Sequence, residues 1–190
     1  MTRTFIALEL DSSQQHFLGN IIRQGKLLLP DLRWVEPMGI HLTLAFLGEL
    51  SDSQLEKAVA AAQYAATASR PFAYRLSGLG TFGPARQPRV LWMGVSEPSG
   101  ALHLVHRALA LALEQQGFPP EQRPFSPHLT LARMKSPLTS EQLQLLQQLL
   151  SRYQFSTSTY RAIHLSIMKS VLASSGARYT CLQECAFGKE

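Results

Sequence analysis

Cysteine is scarce in this chain of 190 residues, which contains only Cys181 and Cys185. On a strand the two Cα atoms would lie about 13 Å apart at roughly 3.3 Å per residue, whereas a disulfide needs them within about 7 Å. Two thiols without a further pair or a suitable histidine also make a poor zinc site. We therefore expect free thiols, as in a reducing cytoplasm.

Long apolar segments are also missing from the sequence. No apolar run approaches the roughly 18 residues that are needed to cross a bilayer. The apolar stretch at the N-terminus is too short for a signal peptide, because Glu9 and Asp11 follow it closely. We expect a cytoplasmic protein that does not associate with membranes.

The chain has few charged residues, and its net charge is moderately positive. Charged residues make up 16% of the chain and hydrophobic residues 45%, a balance that is typical of a folded globular protein rather than a disordered one. The net charge of +5 is compatible with an ordinary solvated surface or with an anionic partner such as nucleic acid. Charge alone does not distinguish these two interpretations.

Predicted strands and helices alternate along the chain. Three helix starts are indicated by capping-box pairs, namely Ser12 with Gln15, Ser51 with Gln54 and Thr139 with Gln142, and Gly117 ends an amphipathic helix. Strands are predicted in RTFIALEL, residues 40–47, FAYRLSGLGTF, RVLWMGV, the stretch from His128, TYRAIHLSIMKSV and ARYTCLQECAF. Because the second half repeats the plan of the first, we predict a single domain over residues 1–190 with two similar α+β lobes.

The tetrapeptide His-Leu-Thr-Leu occurs twice, beginning at His41 and at His128. Side chains alternate between the two faces of a strand, so His and Thr share one face, while the leucines and Phe46 face the core. One such histidine is more often structural than catalytic. Two copies in the same phase, one in each half of the chain, make a structural role less convincing. If a two-fold axis relates the lobes, both His/Thr faces, including Thr43 and Thr130, line one cleft.

Two histidines and two threonines suit the metal-free cleavage of a phosphodiester. Histidine titrates near neutral pH, so one can donate a proton while the other accepts one. The hydroxyls of Thr43 and Thr130 would donate hydrogen bonds to phosphoryl oxygens. Neither motif contains Asp or Glu to complete a metal site, and we predict no metal and no cofactor. Spacing does not assign the acid and the base.

The paired His-x-Thr-x motifs resemble the signature of the two-histidine phosphoesterase superfamily. The stretches FIALEL, HLTLAFLGEL, RVLWMGV, RPFSPHLTLAR and ARYTCL are similar to its bacterial RNA 2′,3′-cyclic phosphodiesterase branch, which is also called 2′–5′ RNA ligase-like. They follow the family's order over nearly the whole chain. The resemblance implies an α+β fold of two pseudo-symmetric lobes, with antiparallel sheets flanking a central cleft and helices outside.

The resemblance also implies an activity and residue roles. The activity is hydrolysis of a terminal 2′,3′-cyclic phosphate on RNA to a 2′-phosphomonoester, with His41 as proton donor to O3′ and His128 as proton acceptor. An arginine just after the second motif binds phosphate in the family, and here it falls on Arg133. Strict alternation along the strand would place Arg133 on the leucine face, so the strand must end or twist before it.

Other residues have weaker signals. Phe5 and Trp92, and also Trp34, are candidates for stacking on a base, although aromatic residues in strands more often pack in the core. Four basic residues in or near loops would either contact RNA phosphates or simply be solvated, namely Arg86, Arg89, Arg123 and Lys135. His164 begins HLSI, nearly a third motif, but it has no counterpart in the other half and is interpreted as structural.

His103 and His106 lie one helical turn apart. Without an accompanying carboxylate we interpret them as solvent-exposed residues rather than metal ligands.

Three functions are open on this sequence. The matched acid–base pair favours a monomeric cyclic phosphodiesterase whose partners are RNA or nucleotides with 2′,3′-cyclic phosphate ends. A 2′–5′ RNA ligase or 2′–5′ oligonucleotide phosphodiesterase would use the same residues. A non-catalytic nucleotide-binding module would need hydrogen-bond donors but not a matched acid and base.

Overall fold

The computed structural model describes residues 1–153, 158–173 and 176–189, and the structural statements below concern these ranges. Its helices are α1 (Ser12–Leu28), α2 (Asp52–Thr67), α3 (Ala101–Gln115) and α4 (Ser140–Arg152), with a 3-10 helix at Pro37–Gly39. Its strands are β1 (Thr2–Glu9), β2 (Arg33–Trp34), β3 (His41–Leu50), β4 (Phe72–Phe82), β5 (Val90–Ser96), β6 (His128–Arg133), β7 (Thr159–Ala162), β8 (His164–Ala173) and β9 (Gly176–Ala186). The predicted α+β class is confirmed.

Two of the three predicted capping boxes are confirmed, those that start α2 and α4. The prediction for α1 is wrong by one residue, because Asp11 and Gln14 form the box instead of Ser12 and Gln15. The Asp11 carboxylate accepts from the backbone N–H of Gln14 at 2.8 Å, and the Gln14 side chain accepts from the Asp11 N–H at 3.1 Å. Aspartate is as good an N-cap as serine, so the earlier residue can begin the helix.

The strands form a curled antiparallel sheet in the order β7-β4-β5-β6-β3-β1-β8-β9, with β2 attached to β6. We call β3, β1, β8 and β9 the first half-sheet, and β6, β5, β4 and β7 the second half-sheet. They meet where β3 pairs with β6 through Leu42 and Leu129 alone. Helix α2 packs against the first half-sheet and α3, whereas α4 packs against β4 and α1.

The half-sheets do not correspond to the two halves of the sequence, as the apparent duplication suggested. Strands β4 and β5, from the first half, lie beside β6, and the C-terminal strands β8 and β9 lie beside β1. The segment TYRAIHLSIMKSV is two strands rather than one, because β7 pairs with β4 and β8 pairs with β1. The break falls at Ile163, whose side chain is 52% exposed.

The core fills the space between the sheet and the helices. It takes the leucines of both motifs and the apolar faces of α1 and α3. A second, smaller cluster of Phe5, Ala7 and Met168, with Tyr179 against it, lies apart from this core. No helix in the described ranges is long and apolar enough to span a membrane.

Candidate active site

The two motifs face each other across the pairing that joins the half-sheets. Leu42 and Leu129 occupy the same position in their motifs, and they are partners in an antiparallel pair. An antiparallel pair has a local two-fold axis, which here relates His41 to His128 and one motif threonine to the other. Both leucines are buried, at 1% and 0% exposure, so the histidines and threonines lie on the opposite, open face.

Each motif strand carries a β-bulge at the same position. The pairing register of β1 with β3 skips Leu44, and that of β5 with β6 skips Leu131. These are the fourth residues of the two motifs. An extra residue shifts the alternation of side chains, so the residues that follow change face.

The bulge at Leu131 brings Arg133 to the cleft. Leu131 and Ala132 are both fully buried, whereas the following Arg133 is exposed and lines the same cavity as His128 and Thr130. The strand therefore has the irregularity that an arginine on the His/Thr face requires. Within the described part of the chain, Arg133 has no carboxylate partner, which leaves its guanidinium available for an anion.

The bulge at Leu44 overturns one prediction. Alternation placed Phe46 in the core, but the side chain is 56% exposed and lines the cavity with Thr43. Its Cα partner is Phe5, on the same face as His41. The sequence contained a clue to this position. The two motif copies agree through five residues and differ at the sixth, where the first has Phe46 and the second has Arg133.

Both histidines have the same hydrogen-bond arrangement. Nδ1 of His41 lies 2.9 Å from the carbonyl oxygen of Gly39, and Nδ1 of His128 lies 2.7 Å from that of Ser126. A carbonyl oxygen only accepts, so each Nδ1 carries a hydrogen and donates it. The Nε2 atoms are then the ones that exchange protons with a ligand.

Within the described ranges, the hydroxyls of the two motif threonines have no competing partners. Thr43 is exposed and Thr130 is half-buried. Among the described residues, neither hydroxyl makes a hydrogen bond to another protein group. Both are free to donate to a bound anion.

The environments of the two histidines differ. His41 stacks on Phe5 with ring centroids 4.4 Å apart, and the edge of Tyr179 contacts it at 4.9 Å. Burial lowers the pKa of His41, while the hydrogen bond to Gly39 and the charge of Glu9 act in the opposite direction. His128 is covered less, with the ring of Phe82 perpendicular to it at 4.7 Å.

A cavity of about 880 Å³ opens where β3 and β6 diverge from their shared pair. It reaches both threonines, His128 and Arg133, whereas His41 lies outside its lining on the β1 side. Residues of α3 and of the proline-rich loop 118–126 also line it. The cations on its walls are Arg89, Arg123 and Arg133, of which Arg123 is paired with Glu121 at 3.0 Å. Arg86 and Lys135 are outside its lining.

The two aromatic residues predicted to stack on a base are differently placed. Phe5 is 3% exposed and is covered by His41 and Tyr179, so it has no free face for a base. Trp92 packs against Phe82 and over Gly80, where a Cβ would lie 2.3 Å from the indole ring. Neither residue lines the cavity.

The tryptophan on β2 has a structural role. The Nε1 of Trp34 donates to the carbonyl of Leu29 at 2.9 Å. Its ring lies where a Cβ on Gly25 would be 2.1 Å away, so α1 and β2 approach closely at this glycine.

The interpretation of the α3 histidines as solvent-exposed holds for His103 but is wrong for His106. His106 is half-buried and stacks on Phe125 with centroids 3.9 Å apart. Burial, followed by the charge of His103, lowers its pKa. The missed signal was the Phe-containing loop after α3, which folds back over the helix.

Among the described residues, one trio of potential metal ligands occurs: Glu9, His164 and Glu184, with ligand atoms within 4.8 Å of one another. Ser166 is fully buried and donates to Glu9 Oε2 at 2.6 Å, so the carboxylate already has a partner. Glu9 is also the Cα partner of His41 on the neighbouring strand. The Nε2 atom of His164 lies 4.0 Å from Oε2 of Glu9. His164 is therefore close to the candidate site because it neighbours Glu9, and it does not act as a third motif.

The family model of the 2′-5′ RNA ligase superfamily matches residues 27–171, which include both motifs. The chain belongs to the 2′-5′ RNA ligase superfamily. This confirms the predicted family. The paired His-x-Thr-x motifs that carried the resemblance are the ones related by the two-fold axis.

Several curated relatives of this superfamily member are named RNA 2′,3′-cyclic phosphodiesterase. The protein of Aquifex aeolicus is 32% identical over 160 residues, which cover 82% of each chain. That of Methanothermobacter thermautotrophicus is 29% identical over 181 residues, covering 95% of this chain and 96% of the relative. The Geobacillus stearothermophilus protein is 37% identical over 129 residues, and the match spans 68% of this chain but 41% of the relative.

Solved structures have the same fold as this superfamily member. TT0787 of Thermus thermophilus superposes with a TM-score of 0.82 at 25% identity, over 99% of both chains. Escherichia coli LigT in complex with 3′-AMP superposes with a TM-score of 0.74 at 24% identity, over 98% of both chains. The two half-sheets and their outer helices are therefore the architecture of known structures.

Proposed function

We propose that this protein hydrolyses the terminal 2′,3′-cyclic phosphate of RNA to a 2′-phosphomonoester without a metal ion. The observation that carries the proposal is the two-fold pairing of the His/Thr motifs, in which each Nδ1 is bound to a carbonyl and neither Nε2 has a hydrogen-bond partner among the described residues. Family membership and the relatives named RNA 2′,3′-cyclic phosphodiesterase support the same reaction.

In the proposed mechanism the two histidines have opposite protonation states at the start. His128 is neutral, and its Nε2 accepts a proton from the attacking water. A bond forms between the water oxygen and phosphorus, the bond between phosphorus and O3′ breaks, and His41 Nε2 donates its proton to O3′. The O2′–phosphorus bond stays intact. Afterwards both histidines re-equilibrate with solvent.

The acid and base assignment follows the family resemblance, and the charge of Glu9 supports it. The Glu9 carboxylate is close enough to stabilise a positive charge on His41. A general acid must hold its proton before the reaction, and burial against Phe5 and Tyr179 opposes this. Glu9 and the Gly39 carbonyl offset part of that burial effect.

The threonines and the arginine stabilise negative charge on the phosphoryl group. The hydroxyls of Thr43 and Thr130 and the guanidinium of Arg133 bind its oxygens from opposite strands. Fixed donors of this kind act most strongly where charge develops in the transition state. Together with the acid and the base, these three donors supply every group that the proposed reaction needs, without a metal ion as Lewis acid.

The test uses an RNA oligonucleotide that ends in a 2′,3′-cyclic phosphate. We expect His41→Ala and His128→Ala each to abolish hydrolysis, while His16→Ala, at an exposed position on α1 outside the cavity lining, serves as the matched control. EDTA should leave the wild-type rate unchanged. Full activity in either motif variant would contradict the mechanism.

A second candidate, 2′–5′ ligation, is favoured by the description of the matching family. If a 5′-hydroxyl replaces water as the nucleophile, a bond forms between its oxygen and phosphorus, the bond between phosphorus and O3′ breaks, and the O2′–phosphorus bond remains as the 2′–5′ linkage. The same residues would serve as base, acid and phosphate ligands. Comparing the rate of hydrolysis with the rate of joining at high concentrations of 5′-hydroxyl RNA measures which reaction dominates.

We further propose that the protein acts as a monomer in the cytoplasm. Both motifs come from one chain, and Cys181 and Cys185 are free. Light scattering of the pure protein tests the oligomeric state, with a mass near 21.1 kDa as the expected result.

A further inference from the structure

The segment HLSI, residues 164–167, is oriented in its strand as the two His/Thr motifs are in theirs. It begins β8, and its apolar residues Leu165 and Ile167 are fully buried in the core. Because side chains alternate along a strand, His164 and Ser166 point to the opposite face, which is the face that carries the histidine and threonine of each motif. The proposed mechanism uses neither of these two residues.

The hydroxyl of Ser166 is buried in an apolar row of this face. Its Cα partner on β1 is Ala7, which packs with Phe5 and Met168 in the smaller cluster. Ser166 is 0% exposed, and a hydroxyl without a hydrogen bond is costly at such a position. It donates to Oε2 of Glu9 at 2.6 Å, a distance typical of a hydroxyl bound to a charged carboxylate. The buried serine is thus matched to one carboxylate oxygen.

The carboxylate of Glu9 depends on this hydrogen bond for its position. Glu9 is the last residue of β1, and its side chain is 34% exposed, so solvent competes for it. Glu184 on β9, whose carboxylate lies within 4.8 Å, has the same charge and repels it. Nε2 of His164, at 4.0 Å, is beyond hydrogen-bond distance. Among the described residues, Ser166 is the donor that holds Glu9.

Glu9 also distinguishes the two histidines of the site. It is the Cα partner of His41, and side chains directly opposite each other in an antiparallel pair have Cβ atoms about 4.5–5.5 Å apart on one face. At the equivalent position, the Cα partner of His128 on β5 is Gly94. A Cβ on Gly94 would lie 2.5 Å from Oγ of Ser77, so no carboxylate fits there. Of the two histidines, only His41 has a carboxylate at its paired position.

We propose that Ser166 is a positioning residue for the general acid, because it holds the Glu9 carboxylate beside His41. The proposal rests on the proposed function and accounts for the unequal roles of His41 and His128. A fixed negative charge stabilises the imidazolium that donates the proton, and Ser166 keeps that charge from turning towards solvent. Ser166 itself lies outside the cavity lining and acts through Glu9.

The experiment isolates proton donation by changing the leaving atom. The probes are uridine 2′,3′-cyclic phosphate and its analogue with sulfur in place of O3′. In both reactions a bond forms between the water oxygen and phosphorus, and the bond from phosphorus to the 3′ atom breaks. O3′ leaves with a proton from His41, whereas sulfur leaves as a stable thiolate and needs no acid.

The variants change the donor to Glu9 and leave the strand otherwise intact. Ser166→Ala removes the hydroxyl, and Ser166→Thr keeps one. Ser170→Ala is the matched control, because Ser170 is another buried serine of β8, 8% exposed and outside the cavity lining. His41→Ala shows the effect of losing the acid itself. The ratio of the two rates within one variant does not depend on the fraction of the protein that is folded.

We expect Ser166→Ala to lower kcat for the oxygen substrate about tenfold, which is less than the roughly 10²- to 10⁴-fold that general acid–base catalysis contributes. Its rate on the sulfur analogue should match that of the wild type, and His41→Ala should regain activity on this analogue. Ser166→Thr and Ser170→Ala should keep the wild-type ratio of the two rates. In a Glu9→Gln background, Ser166→Ala should have no further effect.

Three results for Ser166→Ala would overturn the proposal: an equal loss on both substrates, an unchanged rate on the oxygen substrate, or a full loss that persists in the Glu9→Gln background. Equal losses of His41→Ala on both substrates would overturn it as well, since His41 would then not be the acid. An active wild type with any of these results leaves hydrolysis itself in place. A wild type that hydrolyses neither substrate would instead overturn the proposed function, and with it any role of Ser166 in proton donation.

Discussion

Replacing each motif threonine by valine tests the two-fold site in detail. Valine keeps the shape of threonine and removes only the hydroxyl. Removing one preorganised donor to a developing oxyanion costs about 2.7–4 kcal/mol, or 10²–10³ in kcat. We expect Thr43→Val and Thr130→Val each to show a loss of this size. In the proposed mechanism both hydroxyls bind one phosphoryl group, so the double variant measures their coupling, and its loss should differ from the product of the two factors.

Stability should barely change in these variants. Among the described residues neither hydroxyl has a protein partner, so valine leaves no donor or acceptor unpaired. A surface change of this kind stays within about 0.5 kcal/mol, and for a domain of 190 residues this shifts Tm by about 1–2 °C. Thermal unfolding followed by circular dichroism measures it alongside steady-state kinetics on a cyclic-phosphate RNA. A full rate in one variant with a large loss in the other would refute the symmetric donation by both threonines.

Three further perturbations have defined outcomes. Arg133→Ala should weaken phosphate binding and catalysis about ten- to a hundredfold. Arg133→Lys should restore only part of this loss, since lysine lacks the planar fork of donors, and inhibition of both variants by inorganic phosphate checks this. Glu9→Gln removes a negative charge that raises the pKa of His41. The acid should then lose its proton at a lower pH, so the fall in kcat towards high pH should begin at a lower pH than in the wild type. An unchanged kcat–pH profile would mean that Glu9 does not support the acid. Leu129→Ala opens a cavity at the fully buried pair between the half-sheets and should cost about 2–5 kcal/mol, measured by urea unfolding; a cost below about 1 kcal/mol would mean that the pair does not hold the half-sheets together.

The repeated tetrapeptide indicated the candidate site because it combines two independent signals. Strand alternation separates His41 and Thr43 from the leucine that enters the core, and the second copy repeats the pattern around His128. The structure adds that Leu42 and Leu129 pair directly, which is what places the two polar faces together. No property of either strand alone specifies this register.

The bulges explain what alternation missed. Phe46 was expected in the core, and Arg133 was expected on the wrong face unless the strand was irregular. Both expectations follow from a strict period of two, and the extra residue that precedes each side chain, Leu44 or Leu131, reverses them. Bulges depend on how the neighbouring strands β1 and β5 pair with the motif strands, so the sequence of one segment does not predict them.

The arrangement of the half-sheets was hidden for a similar reason. The duplicated plan of the sequence suggested that each half of the chain forms one lobe. Long-range pairing instead sends β4 and β5 to the side of β6 and brings β8 to β1. Because edge and central strands have similar composition, their partners follow from packing of the whole sheet rather than from local propensity.

Hydrolysis of a 2′,3′-cyclic-phosphate RNA in water enriched with ¹⁸O tests the central claim most directly. The account predicts a single ¹⁸O atom in a phosphomonoester at the 2′ position, detected by ³¹P NMR and mass spectrometry, and no product from His41→Ala or His128→Ala. A 3′-phosphomonoester, or turnover by either variant at the wild-type rate, would contradict it.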